Sequence, residues 1–142
     1  MRTTVRVLAT IAAVVALCSS PAVANAAEAS SQAKPLVGTW VGPMSGYRDG
    51  EYVTGSEKII ITQAKGPLAK GTWQWKAEGG TWSKKVDLQL VIVDDHANEL
   101  HIFGQDPTGT YDGHLYSSGH LVLGYAASSP MQFALRFDLS RR

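Results

Sequence analysis

Residues Gly71 to Ile92 read GTWQWKAEGGTWSKKVDLQLVI, two runs of alternating apolar and polar residues hinged at Gly79-Gly80. Alternation with a period of two marks strands that bury one face. A Gly-Gly pair tolerates positive φ and suits the two-residue turn of a hairpin. Because turn length fixes register, this hinge sets Ala77 opposite Trp82, Trp75 opposite Lys84 and Trp73 opposite Val86. Trp73, Trp75 and Trp82 then share one face with Val86, Leu88, Leu90 and Ile92, a face too apolar to stay in water.

The same pattern continues in both directions and predicts eight strands: Leu36–Tyr47, Tyr52–Gln63, Gly71–Glu78, Thr81–Val93, Glu99–Gln105, Thr110–Tyr116, His120–Ala126 and Met131–Leu139. Asp49-Gly50 repeats the two-residue turn and sets Trp40 opposite Ile59. Asp106-Pro107-Thr108-Gly109 suits a type I turn, and Ser117-Ser118-Gly119 a three-residue loop with its glycine left-handed. In the last two strands Leu121, Leu123 and Tyr125, then Phe133, Leu135 and Phe137, keep to one face, while Arg136 points to the other. Successive short links with no long crossover predict an all-β, eight-stranded antiparallel up-and-down barrel, which leaves no open edge. A β-sandwich is the alternative.

The N-terminus has a different character. Arg2 and Arg6 precede an apolar run, Val7–Leu17, followed by small residues ending at Ala24-Asn25-Ala26, the layout of a secretory signal cleaved after Ala26. The run is shorter than the roughly 20 residues a spanning helix needs, and Leu17 before Cys18 does not suit a lipidation site. The expected organisation is a signal peptide over 1–26, a small polar tether over 27–35 and one barrel domain over 36–142, secreted or periplasmic, with no membrane association after cleavage. Removing residues 1–26 from the 142 leaves 116, enough for one modest core, and no cysteine. Neither a disulfide nor thiol chemistry is then available. Without Arg2 and Arg6 the 13 basic residues fall to 11 against 12 acidic ones, with no basic stripe of the kind a nucleic-acid partner requires.

Gly38-Thr39-Trp40 in the first strand, taken with Arg136 in the last, resembles the signature of the calycin barrels, the group that includes lipocalins and avidins. In those families the Gly-x-Trp tryptophan plugs the closed end and a basic residue of the final strand packs across it. The resemblance therefore implies structural roles for Trp40 and Arg136. It also makes the end bearing the turns at Asp49-Gly50, Gly79-Gly80, Asp106–Gly109 and Ala127–Pro130 the open mouth. Avidin-type sites carry an Asn two residues after that tryptophan to hold the biotin ureido group. Gly42 stands there instead, a departure that counts against biotin.

At that mouth the register places Trp75, Trp82 and Lys84 inside, beneath a first hairpin carrying Tyr47, Arg48, Asp49, Glu51 and Tyr52. Aromatic faces with a few polar groups are the usual lining of a small-molecule site. Trp73, two residues deeper, reads as core. On the outer face, His101 falls opposite His114 and Tyr116 opposite His120, so the three imidazoles are candidate metal ligands, although three solvated histidines are the simpler reading. Asp94-Asp95-His96 is the densest polar cluster and lies in a turn. No Ser-His-Asp order, metal-binding helix motif or glycine-rich phosphate loop is present, so neither an enzyme nor a cofactor is expected. Two functions remain: a binding protein for a small, partly apolar ligand, or a protein-interaction or inhibitor module on a filled barrel, contacting a protein partner through its loops.

Overall fold

A computed structural model describes residues 33–128 and 131–142. The expected signal peptide, its cleavage site and most of the tether lie outside the described residues. A short 3-10 turn, Lys34–Leu36, leads into β1 (Gly38–Arg48), β2 (Glu51–Lys65), β3 (Leu68–Ala77), β4 (Val86–His96), β5 (Glu99–Gln105), β6 (Thr110–Tyr116), β7 (His120–Ala127) and β8 (Phe133–Arg141). Each strand pairs antiparallel with the next, and β8 returns to β1, giving a closed barrel in simple sequential order. Closure pairs Met44 with Phe137 and Trp40 with Arg141. It satisfies the backbone of what would otherwise be two edge strands.

The inward face is the apolar set the alternation predicts. Trp40, Ile59, Ile61, Leu88, Leu90, Ile102, Tyr111, Leu121, Leu123, Phe137 and Leu139 are buried together. Trp40 faces Ile59, and His101 faces His114 on the outer wall, as the turn lengths require. Strong coiling is permitted where inward positions carry no side chain. A Cβ on Gly42 would lie 2.0 Å from the Asp138 carbonyl oxygen, and one on Gly46 2.1 Å from that of Ala134, so only glycine lets β8 approach β1 this closely. The same contact leaves no room at position 42 for the Asn of an avidin-type site.

Several strand limits differ from expectation: β4 runs on to His96, so Asp94-Asp95-His96 lies in a strand and not in a turn, and the limits around β3 shift for local reasons. Gly66, at φ 59°, makes a tight turn with Pro67, so β2 and β3 run much closer together than the polar stretch before Gly71 suggests. After β3, the turn closes between Ala77 and Gly80, with the Gly80 amide donating to the Ala77 carbonyl at 3.0 Å. It is therefore centred on Glu78-Gly79, one residue earlier than expected. Trp75 then bonds Ser83 (Ser83 N–H to Trp75 O, 2.8 Å) in place of Lys84, and the expected pairing is regained only at Trp73–Val86. The surplus residues are absorbed in 81–85, which forms no ladder.

At the termini end the residues that cover the core have their polar groups paired. Trp40 is buried, and its indole N–H donates to the Leu36 carbonyl at 2.8 Å. The basic residue across it is Arg141, whose guanidinium lies 4.8 Å from the ring centroid and also donates to the Pro35 carbonyl. Arg136, the residue expected there, is exposed on the outer face opposite Ser45. β8 extends two residues beyond the expected end, and this extension brings Arg141 level with Trp40.

Candidate functional site

The opposite end of the barrel is organised by one turn. Asp106 Oδ1 accepts from the Thr108 amide (2.7 Å), the Thr108 hydroxyl (2.8 Å) and the Gly109 amide (2.8 Å), which is the side-chain cap of an Asx-type turn. Its Oδ2 accepts from the Tyr111 hydroxyl at 3.0 Å, and Tyr125 reaches Oδ1 at 3.4 Å. The Thr108 and Tyr125 hydroxyls lie 2.7 Å apart. A turn that sequence reading treats as surface punctuation thus sends its carboxylate inward to hold two tyrosines. Their rings lie 4.7 Å apart, with Trp73 packed at 6.4 Å from Tyr111 and 6.0 Å from Tyr125.

Beside this group stands Glu57, on the inward face of β2, flanked in register by Gly42 on β1 and Trp75 on β3. It is 0% exposed, and neither carboxyl oxygen has a hydrogen-bond partner. Burial pushes its pKa up to about 9, and the neighbouring Asp106 carboxylate adds to the shift. Burial, with Glu57 and Asp106 close by, also holds the Tyr111 phenol well above its ordinary value. Tyr125 is raised for the same first reason, with the Thr108 hydrogen bond acting the other way. The Trp73 indole N–H is a further buried donor without a partner. Buried polar groups left unpaired cost roughly 1–3 kcal/mol each, so two in one place require an explanation.

Sequence reasoning missed Glu57, although the signal was present. Ile59 and Ile61 point inward, so the residue two positions before Ile59 must do so as well.

The residues expected at the mouth are only partly brought together. Trp75 is half-buried on the inner face beside Glu57 and packs against the core. Trp82 is a correction. With Ser83 opposite Trp75, its indole falls on the outer wall, where Lys58 Nζ lies 4.3 Å and Lys76 Nζ 5.2 Å from the ring centroid. A one-residue slip moves a side chain to the other face of a sheet. Lys84 is exposed in the segment without a ladder. Tyr47 and Tyr52 form an edge-on pair, 5.6 Å between centroids, on the outer face of the first hairpin, 56% and 64% exposed. Arg48 shares the inward parity of Met44 but is exposed at the hairpin tip. That tip is tied to the start of β8 by reciprocal bonds between Asp49 and Gln132.

The outer-wall histidines each have their own carboxylate. His101 lies 2.7 Å from Asp112, His120 3.1 Å from Asp138 and His114 3.7 Å from Glu99, while the His101 and His114 rings stack at 4.8 Å. His96 pairs with Asp94 at 2.8 Å in the exposed end of β4. Among the described residues no three His, Cys, Asp or Glu side chains are placed together to hold a metal ion. A cleft of about 430 Å³ opens at the termini end, lined among others by Trp40, Glu99, Leu115 and Arg141. No protein-family model matches the chain, and no curated protein matches it.

Proposed function

We propose that the mature protein is an exported, non-enzymatic binding protein that holds one small, partly apolar ligand at the hairpin end of a calycin-like barrel. The observation that carries this reading is Glu57, a fully buried carboxyl with both oxygens free, beside the unpartnered Trp73 N–H and a lining of aromatic rings. Convergent polar groups within an apolar lining orient a small molecule, and a ligand that pairs with them removes the cost of leaving them unmade. Met44 covers this carboxyl and would move aside to admit a ligand. Its terminal methyl lies 3.0 Å from where a Cβ on Gly55 would stand, so an unbranched, adaptable side chain fills the space next to Glu57. The calycin likeness rests on the closed eight-stranded barrel and on the Trp40–Arg141 stack. Export rests on the layout of residues 1–26.

Native mass spectrometry of the protein recovered from its own culture medium tests this. The expected result is a chain beginning at Ala27 that carries a stoichiometric small molecule, released on denaturation. A ligand-free mass, with no shift on incubation with the cell's small-molecule extract, contradicts it. A second reading, a protein-interaction module, draws support from the aromatic groups the barrel shows to solvent: the Tyr47–Tyr52 pair and Trp82 between two lysines. Co-purification of a protein partner that W82A abolishes is the result expected from it.

A further inference from the structure

The ligand class can be narrowed by charge. Resting on the binding reading above, we infer that the occupant of the hairpin end carries a protonated amine on an aromatic or aliphatic body, with its N–H groups donating to Glu57 and its charge facing the surrounding rings. Glu57 and Asp106 are two carboxyl groups close enough to influence each other, and among the described residues no Lys or Arg lies within ion-pair distance of either. Asp106 is fully engaged by its turn and by Tyr111, so the free acceptors belong to Glu57. A neutral hydroxyl pairs with the protonated acid and brings no charge to the two carboxyl groups. An ammonium group offers three donors and the missing positive charge.

The walls suit the same chemistry. Trp73, Tyr111, Tyr125 and Phe137 are clustered, with ring centroids 6.0–6.4 Å apart for Trp73–Tyr111, Trp73–Tyr125 and Tyr125–Phe137, and ring faces attract a desolvated cation. A carboxylate ligand is opposed by Glu57 and Asp106 together.

Amine binding has a consequence that neutral-ligand binding lacks. Empty, Glu57 keeps its proton at pH 7, with a pKa of about 9. The titratable groups facing it are Asp106 from the β5–β6 turn, Tyr111 from β6 and Tyr125 from β7, and both phenols are raised further from neutrality. Seating an ammonium ionises Glu57, and the proton passes to the buffer.

The test is isothermal titration calorimetry of the mature protein at pH 7 with three compounds of one skeleton: 2-phenylethylamine, 2-phenylethanol and phenylacetate. Each is run in phosphate and in Tris so that proton release is read from the difference in heat. The expected result is that the amine binds at least about tenfold more tightly than the alcohol, with about one proton released per amine bound. E57Q, isosteric with the protonated acid, should abolish both the preference and the proton release. Its thermal melt at pH 7 checks that the fold is intact. Equal or tighter binding of the alcohol, or amine binding with no proton release, overturns the inference while leaving the binding site standing. If none of the three binds, the inference also falls. The binding reading then falls only if native mass spectrometry finds the protein empty as well.

Discussion

The two ends of this barrel treat their polar groups in opposite ways. At the termini end, the buried Trp40 donates its indole N–H to Leu36, and Arg141 covers the ring while bonding Pro35. At the hairpin end, Glu57 and Trp73 keep buried polar atoms without partners, although Asp106 shows that the same end can satisfy a carboxylate completely. Both ends draw on the same resources, aromatic rings and inward polar side chains. The difference is that one end pairs its buried polar groups and the other leaves those of Glu57 and Trp73 unpaired. Unmet hydrogen-bonding capacity lies at the hairpin end, where the proposed ligand would meet it.

Four perturbations sharpen this contrast, and the largest is pH. Glu57 has a folded pKa of about 9 against an ordinary value of 4.5, so between those values the folded state holds a proton that the unfolded state has lost. Its contribution to stability is therefore greatest below about pH 4.5, falls by roughly 1.4 kcal/mol per pH unit as pH rises, and levels off above about 9. Urea unfolding of wild type and E57Q across a range of about pH 5–9 should show E57Q gaining on wild type toward alkaline pH; parallel curves would remove the buried-acid account. Next in size is Trp40→Ala, which should cost about 3–5 kcal/mol by denaturant midpoint. If the termini end is the paired one, this loss should leave amine binding per folded molecule unchanged.

Asp106→Ala removes the cap of its turn and the anchor of Tyr111, and a loss of about 2–3 kcal/mol is expected. This variant should also lower the Glu57 pKa, since one of the two causes of its elevation is gone. The smallest effect belongs to Trp82→Ala, about 0.5–1 kcal/mol from two cation–π contacts on the outer wall. A loss of several kcal/mol, or a loss of amine binding, would place Trp82 inside after all.

Much of the fold was legible because the links are short. Turns of two to four residues fix register, which is why Trp40–Ile59 and His101–His114 stand where the turn lengths put them. The hinge at 78–80 shows the limit. With glycine at both 79 and 80 the turn can centre on either side of Gly79, and a shift of one residue turned Trp82 outward. Arg141 was missed for a comparable reason: strand ends are set by pairing with a partner strand, and β1 holds β8 two residues longer than its apolar alternation suggests.

The site was harder to read. Tryptophans draw attention as ligand-binding residues, yet the two features that define the hairpin end are carboxyl groups. Inward parity at Glu57 follows from Ile59, but whether a buried carboxyl has a partner depends on the third dimension. Asp106 reads as a turn former from sequence, and only closure of the barrel brings it to Tyr111 and Tyr125.

The most direct test of the central claim is the ionisation of Glu57 itself. With glutamate labelled at the side-chain carboxyl carbon, an NMR titration should show one resonance, missing from E57Q, whose midpoint lies near 9. A midpoint for Glu57 near 4.5 would mean that the carboxyl is solvated or paired, and the hairpin end would then have nothing to offer a ligand that the termini end lacks.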